Sequence, residues 1–198
     1  MRTYRAVNLN VLWFLIALNV LIFIIEIVIG GYPITGTNEL VRFLGLTPAL
    51  LSQQPWTIIS SMFVHGGFLH IIFNMLALYF LGSFFIRAAG EKSFLAVFFL
   101  GGLAGNALYS LLGPPWIPGI GASGGVFALG GALAVLVPRV PVLILFIPIP
   151  MPLWVAIIIL VFISFLFSEI AWQAHIGGLL LGLAAGLIFR RRSRIYYF

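Results

Sequence analysis

The sequence predicts an all-α membrane protein of six transmembrane helices with both termini cytoplasmic. Composition is the first observation. Of 198 residues, 63% are hydrophobic before 22 glycines are counted, and 7% are charged, against roughly 25% in soluble domains. So few charges cannot keep so apolar a chain in water. That excludes a soluble globular protein, a nucleic-acid binder and a disordered chain. The second observation is a series of six apolar stretches, each near the roughly 20 residues that a helical span needs. The third is where the basic residues fall between them.

In order, the stretches are residues 11–29, 66–86, 94–112, 121–137, 153–168 and 172–189. The first holds Asn19 and Glu26 but no other ionisable or amide side chain. It follows M-R-T-Y-R, is long and lacks an A-x-A pattern, so a first span is expected and not a cleaved signal peptide. The breaks flanking the fourth and fifth spans are set by proline, which removes a donor and clashes with the preceding turn. Pro138, Pro141, Pro148, Pro150 and Pro152 separate those two. Both are short for the hydrocarbon thickness. The outer loop, 30–55, carries Leu, Val and Phe among few charges and is expected on or in the bilayer surface. No linker interrupts the chain, so residues 1–198 are expected to form one domain.

Orientation follows from Lys and Arg. With the N-terminus cytoplasmic, Arg2, Arg5, Arg87, Lys92, Arg139, Arg190, Arg191, Arg192 and Arg194 all lie inside, and Arg42 alone outside. The basic tail reads as an anchor at anionic lipid, not as a nucleic-acid site. Trp13, Trp116, Trp154 and Trp172 fall near span ends, as interfacial aromatics do.

The ionisable residues narrow the chemistry. With no Cys and no Asp, disulfides, thiolate chemistry and a paired-aspartate protease are ruled out. No H-E-x-x-H is present, which disfavours a zinc metalloprotease, and no metal or other cofactor is expected.

Polar groups in a bilayer are costly and often functional, and here their depths coincide. At about 1.5 Å per residue, Ser123 lies about 21 Å above Val137. His175 lies about 21 Å above Phe189, Asn74 about 18 Å and His70 about 24 Å above Ile86. Spans two, four and six all run inward, so these four share one layer some 6–12 Å below the outer face of a core about 30 Å thick. His70 and Asn74, four apart, share a helix face. Ser123, in G-A-S-G-G, opens a helix whose unpaired N–H groups favour an anion. Gly178, Gly182 and Gly186 make a small-residue stripe that allows close helix approach. Gly124, Ala128 and Gly131 offer a matching one. Contact between these two helices would bring His175 to Ser123.

These residue types fit nucleophilic acyl transfer. An imidazole activates a weak serine nucleophile, and donors receive the oxyanion. Here Ser123 is the expected nucleophile and His175 the base. The Ser123 N–H, His70 and Asn74 are the expected oxyanion donors. With no Asp, and neither Glu26 nor Glu169 in register behind His175, a Ser–His dyad is expected. Glu26 and Glu169 are placed near the outer headgroups, and His65 at the interface in a structural role.

The segments H-G-G-F-L-H-I-I-F-N (65–74), G-A-S-G-G (121–125) and A-H-I-G-G-L-L-L-G (174–182) resemble the three signatures of rhomboid intramembrane serine proteases, in their usual order. The resemblance implies a six-helix rhomboid-like bundle in the cell membrane, with its active site opening to the extracytoplasmic side. It also implies cleavage of another protein's transmembrane helix and no cofactor. It assigns Gly121 to the turn before the nucleophile, Phe73 to the border of substrate access, and Phe127 to packing on the catalytic imidazole. The fifth span and the outer loop before Trp172 would form a gate and cap. Trp56-Thr57 stands where many members have Trp-Arg, and Ile86 where many have Glu, which leaves the anchoring of the first loop open.

Each residue also has a plainer reading. A membrane Ser usually bonds its own helix, and an Asn between helices is commonly glue. A six-span transporter or channel and an inactive rhomboid-like scaffold are the rival functions. The first is disfavoured because no inverted repeat is visible. The second predicts loss of the Ser or the His.

Overall fold

The computed structural model describes residues 8–31, 38–144, 147–167 and 170–192. Its order is α1 (Asn10–Gly30), α2 (Glu39–Leu44), α3 (Thr57–Ser60), α4 (Phe68–Ala89), α5 (Glu91–Leu112), α6 (Ser123–Leu136), a strand pair β1 (Pro141–Ile144) and β2 (Ile147–Pro152), α7 (Leu153–Leu166) and α8 (Trp172–Arg192). Single 3-10 turns follow α2 and α3. A helix stands on each of the six expected stretches. Four of them, α1, α4, α5 and α8, have the length and apolarity to cross a membrane. Large apolar side chains on their outer faces, such as Phe14, Val28, Leu111 and Leu187, are more than half exposed, as lipid-facing residues must be.

The helix α6 is the axis of the bundle. It packs against α4, α5, α7 and α8, and Ala128, Leu129, Ala132 and Leu133 are fully buried. Its 14 residues rise about 21 Å, less than the hydrocarbon core. A helix enclosed by protein has no lipid boundary to match, so it can begin below the surface. The glycine stripe explains the closeness of α8. A Cβ at Gly178 would strike the Gly124 carbonyl, and one at Gly182 the Ala128 carbonyl. One at Gly186 would lie 2.7 Å from the Ala132 carbonyl oxygen. Gly131 lies in the same seam, where its Cβ position faces the Leu179 carbonyl oxygen at 2.8 Å and the Leu183 nitrogen at 3.2 Å, while Ala132 is the residue against Gly186. Four residues per contact, not three, keep the seam on one face of both helices.

A second seam joins α5 to α8. A Cβ on Gly177 would lie 2.5 Å from the Ala104 carbonyl oxygen, and one on Gly105 would lie 2.5 Å from that of Ala174. Ala104 and Gly105 carry this seam, while Gly101, one turn earlier, lies against Ala128 of α6.

Between α6 and α7 the proline-rich segment is an antiparallel ribbon, with Pro141 opposite Pro152 and Val142 opposite Met151. Proline is excluded from central strands because it cannot donate. In a two-stranded ribbon both strands are edges, so the residues that end the helices are tolerated here. The outer loop is not featureless. Asn38 caps α2 through Leu40 and Val41 N–H groups. The Trp56 indole donates to the Phe43 carbonyl at 2.8 Å and Ser60 to that of Leu44 at 2.7 Å. These bonds anchor the first loop with no arginine at position 57.

Candidate active site

The segment before α6 fixes where Ser123 begins. Gly121 has φ +118°, and a Cβ there would lie 2.7 Å from His70 Nε2, so side-chain residues are excluded both by conformation and by space. Its N–H donates to the Ser61 carbonyl at 2.8 Å. Asn106, on α5, donates to the Ser61 hydroxyl at 2.9 Å and to the Ile58 carbonyl at 2.8 Å. The turn is therefore held by the 3-10 turn after α3, itself braced from α5. Leu46 and Gly119 exchange backbone bonds, and Tyr109 donates to the Ile117 carbonyl, which pins the loop above it.

The α6–α8 seam brings His175 Nε2 to 2.9 Å from Ser123 Oγ. The Phe127 ring, one turn after Ser123, stacks on the imidazole at 4.2 Å between centroids and 20° between planes. Behind the ring lies a partner the sequence reading missed: Ser164, from α7, has its Oγ 2.7 Å from His175 Nδ1.

The third helix supplies donors. The point a Gly121 Cβ would occupy lies 2.7 Å from His70 Nε2 and 3.8 Å from Ser123 Oγ, so both face one small volume. The Gly66 N–H donates to His70 Nδ1 at 3.3 Å. A neutral imidazole carries one hydrogen, so His70 Nε2 bears it and is a donor toward that volume. Asn74 is buried and gives one N–H to the His70 carbonyl at 3.0 Å, which leaves its second N–H to offer. As the first residue of α6, Ser123 has an N–H with no intrahelical acceptor. Phe73, on the same helix, is 37% exposed.

Glu26 and His65 are both fully enclosed by protein. The Glu26 carboxylate accepts from the His65 N–H at 3.3 and 3.4 Å, while its carbonyl receives the Asn38 amide. A carboxylate in α1 thereby fastens the segment that leads into His70, and the His65 and His70 rings meet edge to face at 5.1 Å. Burial, with the His70 imidazole beside it, pushes His65 down to about 3, so it stays neutral. Glu169 lies outside the described residues. Among the described residues no cluster of His and Glu has the arrangement of a metal site.

Comparisons with known proteins bear on the family of the chain. A family model described as the Rhomboid domain matches residues 52–192. The chain is 34% identical over 119 residues to Rhomboid protease GluP of Bacillus subtilis, covering 60% of this chain and 23% of that protein. It is 27% identical over 126 residues to Rhomboid-like protease 3 of Toxoplasma gondii, covering 63% of this chain and 47% of that one. Rhomboid protein 1, mitochondrial, of Saccharomyces cerevisiae is 31% identical over 150 residues, 66% of this chain and 40% of its own length. The match thus spans from about a quarter to under half of these relatives.

Proposed function

The chain belongs to the rhomboid family, and on that premise we propose that it is an intramembrane serine endopeptidase working through Ser123 and His175. Its substrate is the transmembrane helix of another membrane protein, cut near the outer end. The 2.9 Å approach of Ser123 Oγ to His175 Nε2 carries the reading.

In the proposed reaction His175 Nε2 takes the Ser123 proton as Oγ attacks the scissile carbonyl carbon. The oxyanion is received by the Ser123 N–H, the His70 Nε2–H and the second Asn74 N–H. His175 then returns the proton to the leaving amine as the C–N bond breaks. A water, deprotonated by the same nitrogen, hydrolyses the acyl-enzyme. Gly121 leaves space for the oxyanion, Phe127 holds the imidazole plane, and Phe73 borders substrate access. The helix α7 and the segment before Trp172 form the gate and cap. No cofactor takes part.

In the same proposal the whole chain is one multi-pass domain of the cell membrane. All six long and short apolar helices act as spans, both termini are cytoplasmic, and the site opens outward. The approach of His175 Nε2 to Ser123 Oγ, with His70 Nε2 facing the same small volume beside Gly121, supports catalysis over a solute path. The test is cleavage of a single-span reporter in proteoliposomes by wild type and Ser123→Ala, with fluorophosphonate labelling of Ser123. Cleavage lost and labelling abolished in the variant is the expected result. Unaltered cleavage by Ser123→Ala, or an adduct on another serine, would refute the nucleophile.

A further inference from the structure

We propose that Ser164 is the positioning residue of the base: it accepts the His175 Nδ1–H and so holds the imidazole in the tautomer that can deprotonate Ser123. The inference rests on the protease reading above. It starts from the direction of three hydrogen bonds. Ser164 Oγ lies 2.7 Å from His175 Nδ1 and 2.9 Å from the Leu160 carbonyl oxygen. A carbonyl only accepts, so the Ser164 hydroxyl hydrogen goes to Leu160. Its lone pairs are then turned to Nδ1, which must carry the one hydrogen of the neutral ring. Nε2 is left bare 2.9 Å from Ser123 Oγ, ready to accept. The opposite chain, with Ser164 donating to Nδ1 and Nε2–H facing Ser123, would forfeit the Leu160 bond and leave Ser123 with no base.

Backbonding to the residue four before is the ordinary habit of serine in a membrane helix, and here that habit fixes the rotor. Among the described residues, the buried face of α7 offers no second polar group: Ser164 is 2% exposed and shares that face with Leu153, Ala156 and Ile157. Phe127 restrains the imidazole plane by stacking, while Ser164 sets rotation within that plane. When the proton leaves Ser123 Oγ for Nε2 and Oγ bonds the carbonyl carbon, the ring becomes an imidazolium with both nitrogens protonated. Its Nδ1–H bond to Ser164 is then charge-assisted. No proton passes to Ser164, and the Nε2 proton goes on to the leaving amine. The hydroxyl thus takes an orienting place in a chain with no Asp, and the relay crosses α6, α8 and α7.

The experiment pairs reporter kinetics with ¹⁵N spectra of imidazole-labelled protein. There are three histidines in the chain, so the His175 signals are those lost in His175→Ala. In wild type at neutral pH, Nδ1 should show a protonated and Nε2 an unprotonated shift. Ser164→Ala should lower kcat about tenfold or more with KM unchanged, and should move both nitrogens toward averaged values. Ser164→Thr should restore kcat to within a few-fold, and with it the wild-type shifts. A bare Nδ1 in wild type overturns the proposal without any variant, should Ser164→Ala fail to fold. So do wild-type kcat and unmoved shifts in a folded Ser164→Ala. If instead Ser123→Ala cleaves normally, the protease reading fails, and the spectra still decide which nitrogen Ser164 holds.

Discussion

The hydrogen on each imidazole decides what that ring can do. His70 and His175 hold theirs on opposite nitrogens, because the Gly66 N–H occupies His70 Nδ1 and the Ser164 hydroxyl faces His175 Nδ1. One ring thereby becomes a donor and the other an acceptor toward the same volume. Removing the acceptor should be the graver loss: His175→Ala and Ser123→Ala are each expected to lower kcat by about 10⁴-fold or more. Asn74→Ala should cost about a hundredfold, since its place as donor is shared with His70 and the Ser123 amide. Steady-state cleavage of a single-span reporter measures all three, and an undiminished rate in Asn74→Ala would remove that side chain from the oxyanion site. Sequence reasoning reached these four residues because each is a polar group in an apolar helix. For Glu26, a lone carboxylate in a span, the sequence does not reveal the partner. The partner is a backbone N–H of His65, and backbone donors carry no letter in a sequence.

At the scale of elements, the site exists because α6 and α8 touch backbone to backbone. Gly182→Val would drive a branched side chain into the Ala128 carbonyl, an overpacking cost of roughly 1–3 kcal/mol or more. It should also separate Ser123 from His175. We expect a lower melting temperature together with slower fluorophosphonate labelling of Ser123. Wild-type labelling in that variant would show that the seam does not set the dyad. In the proposed topology the polar layer expected on α4, α6 and α8 continues onto α1, α5 and α7. Glu26 lies about 24 Å from the start of α1, Asn106 about 23 Å from that of α5, and Ser164 about 17 Å from that of α7, at 1.5 Å per residue. The same count, run upward, marks all three. The strand pair at 141–152 was not legible, because proline spacing announces a break without saying what fills it.

For the whole molecule, helices stand where apolarity and proline put them, and family membership follows from the match over residues 52–192. The proposed six crossings rest on the apolar stretches, and their proposed direction on the distribution of Lys and Arg. The chain has no cysteine, so single introduced thiols report sidedness cleanly. Trp116→Cys, at an exposed position in the loop before α6, should react with an impermeant maleimide added to intact cells. Arg139→Cys, between α6 and β1, should react only after the membrane is opened. The reverse pattern would invert the topology and put the site on the cytoplasmic face.

The most direct measurement is mass-spectrometric mapping of the fluorophosphonate adduct on the purified protein, alongside cleavage of the reporter by the same sample. A single adduct on Ser123 is expected, lost in His175→Ala, with reporter cleavage that falls in step with labelling. A reporter cut at full rate by fully labelled protein would contradict this.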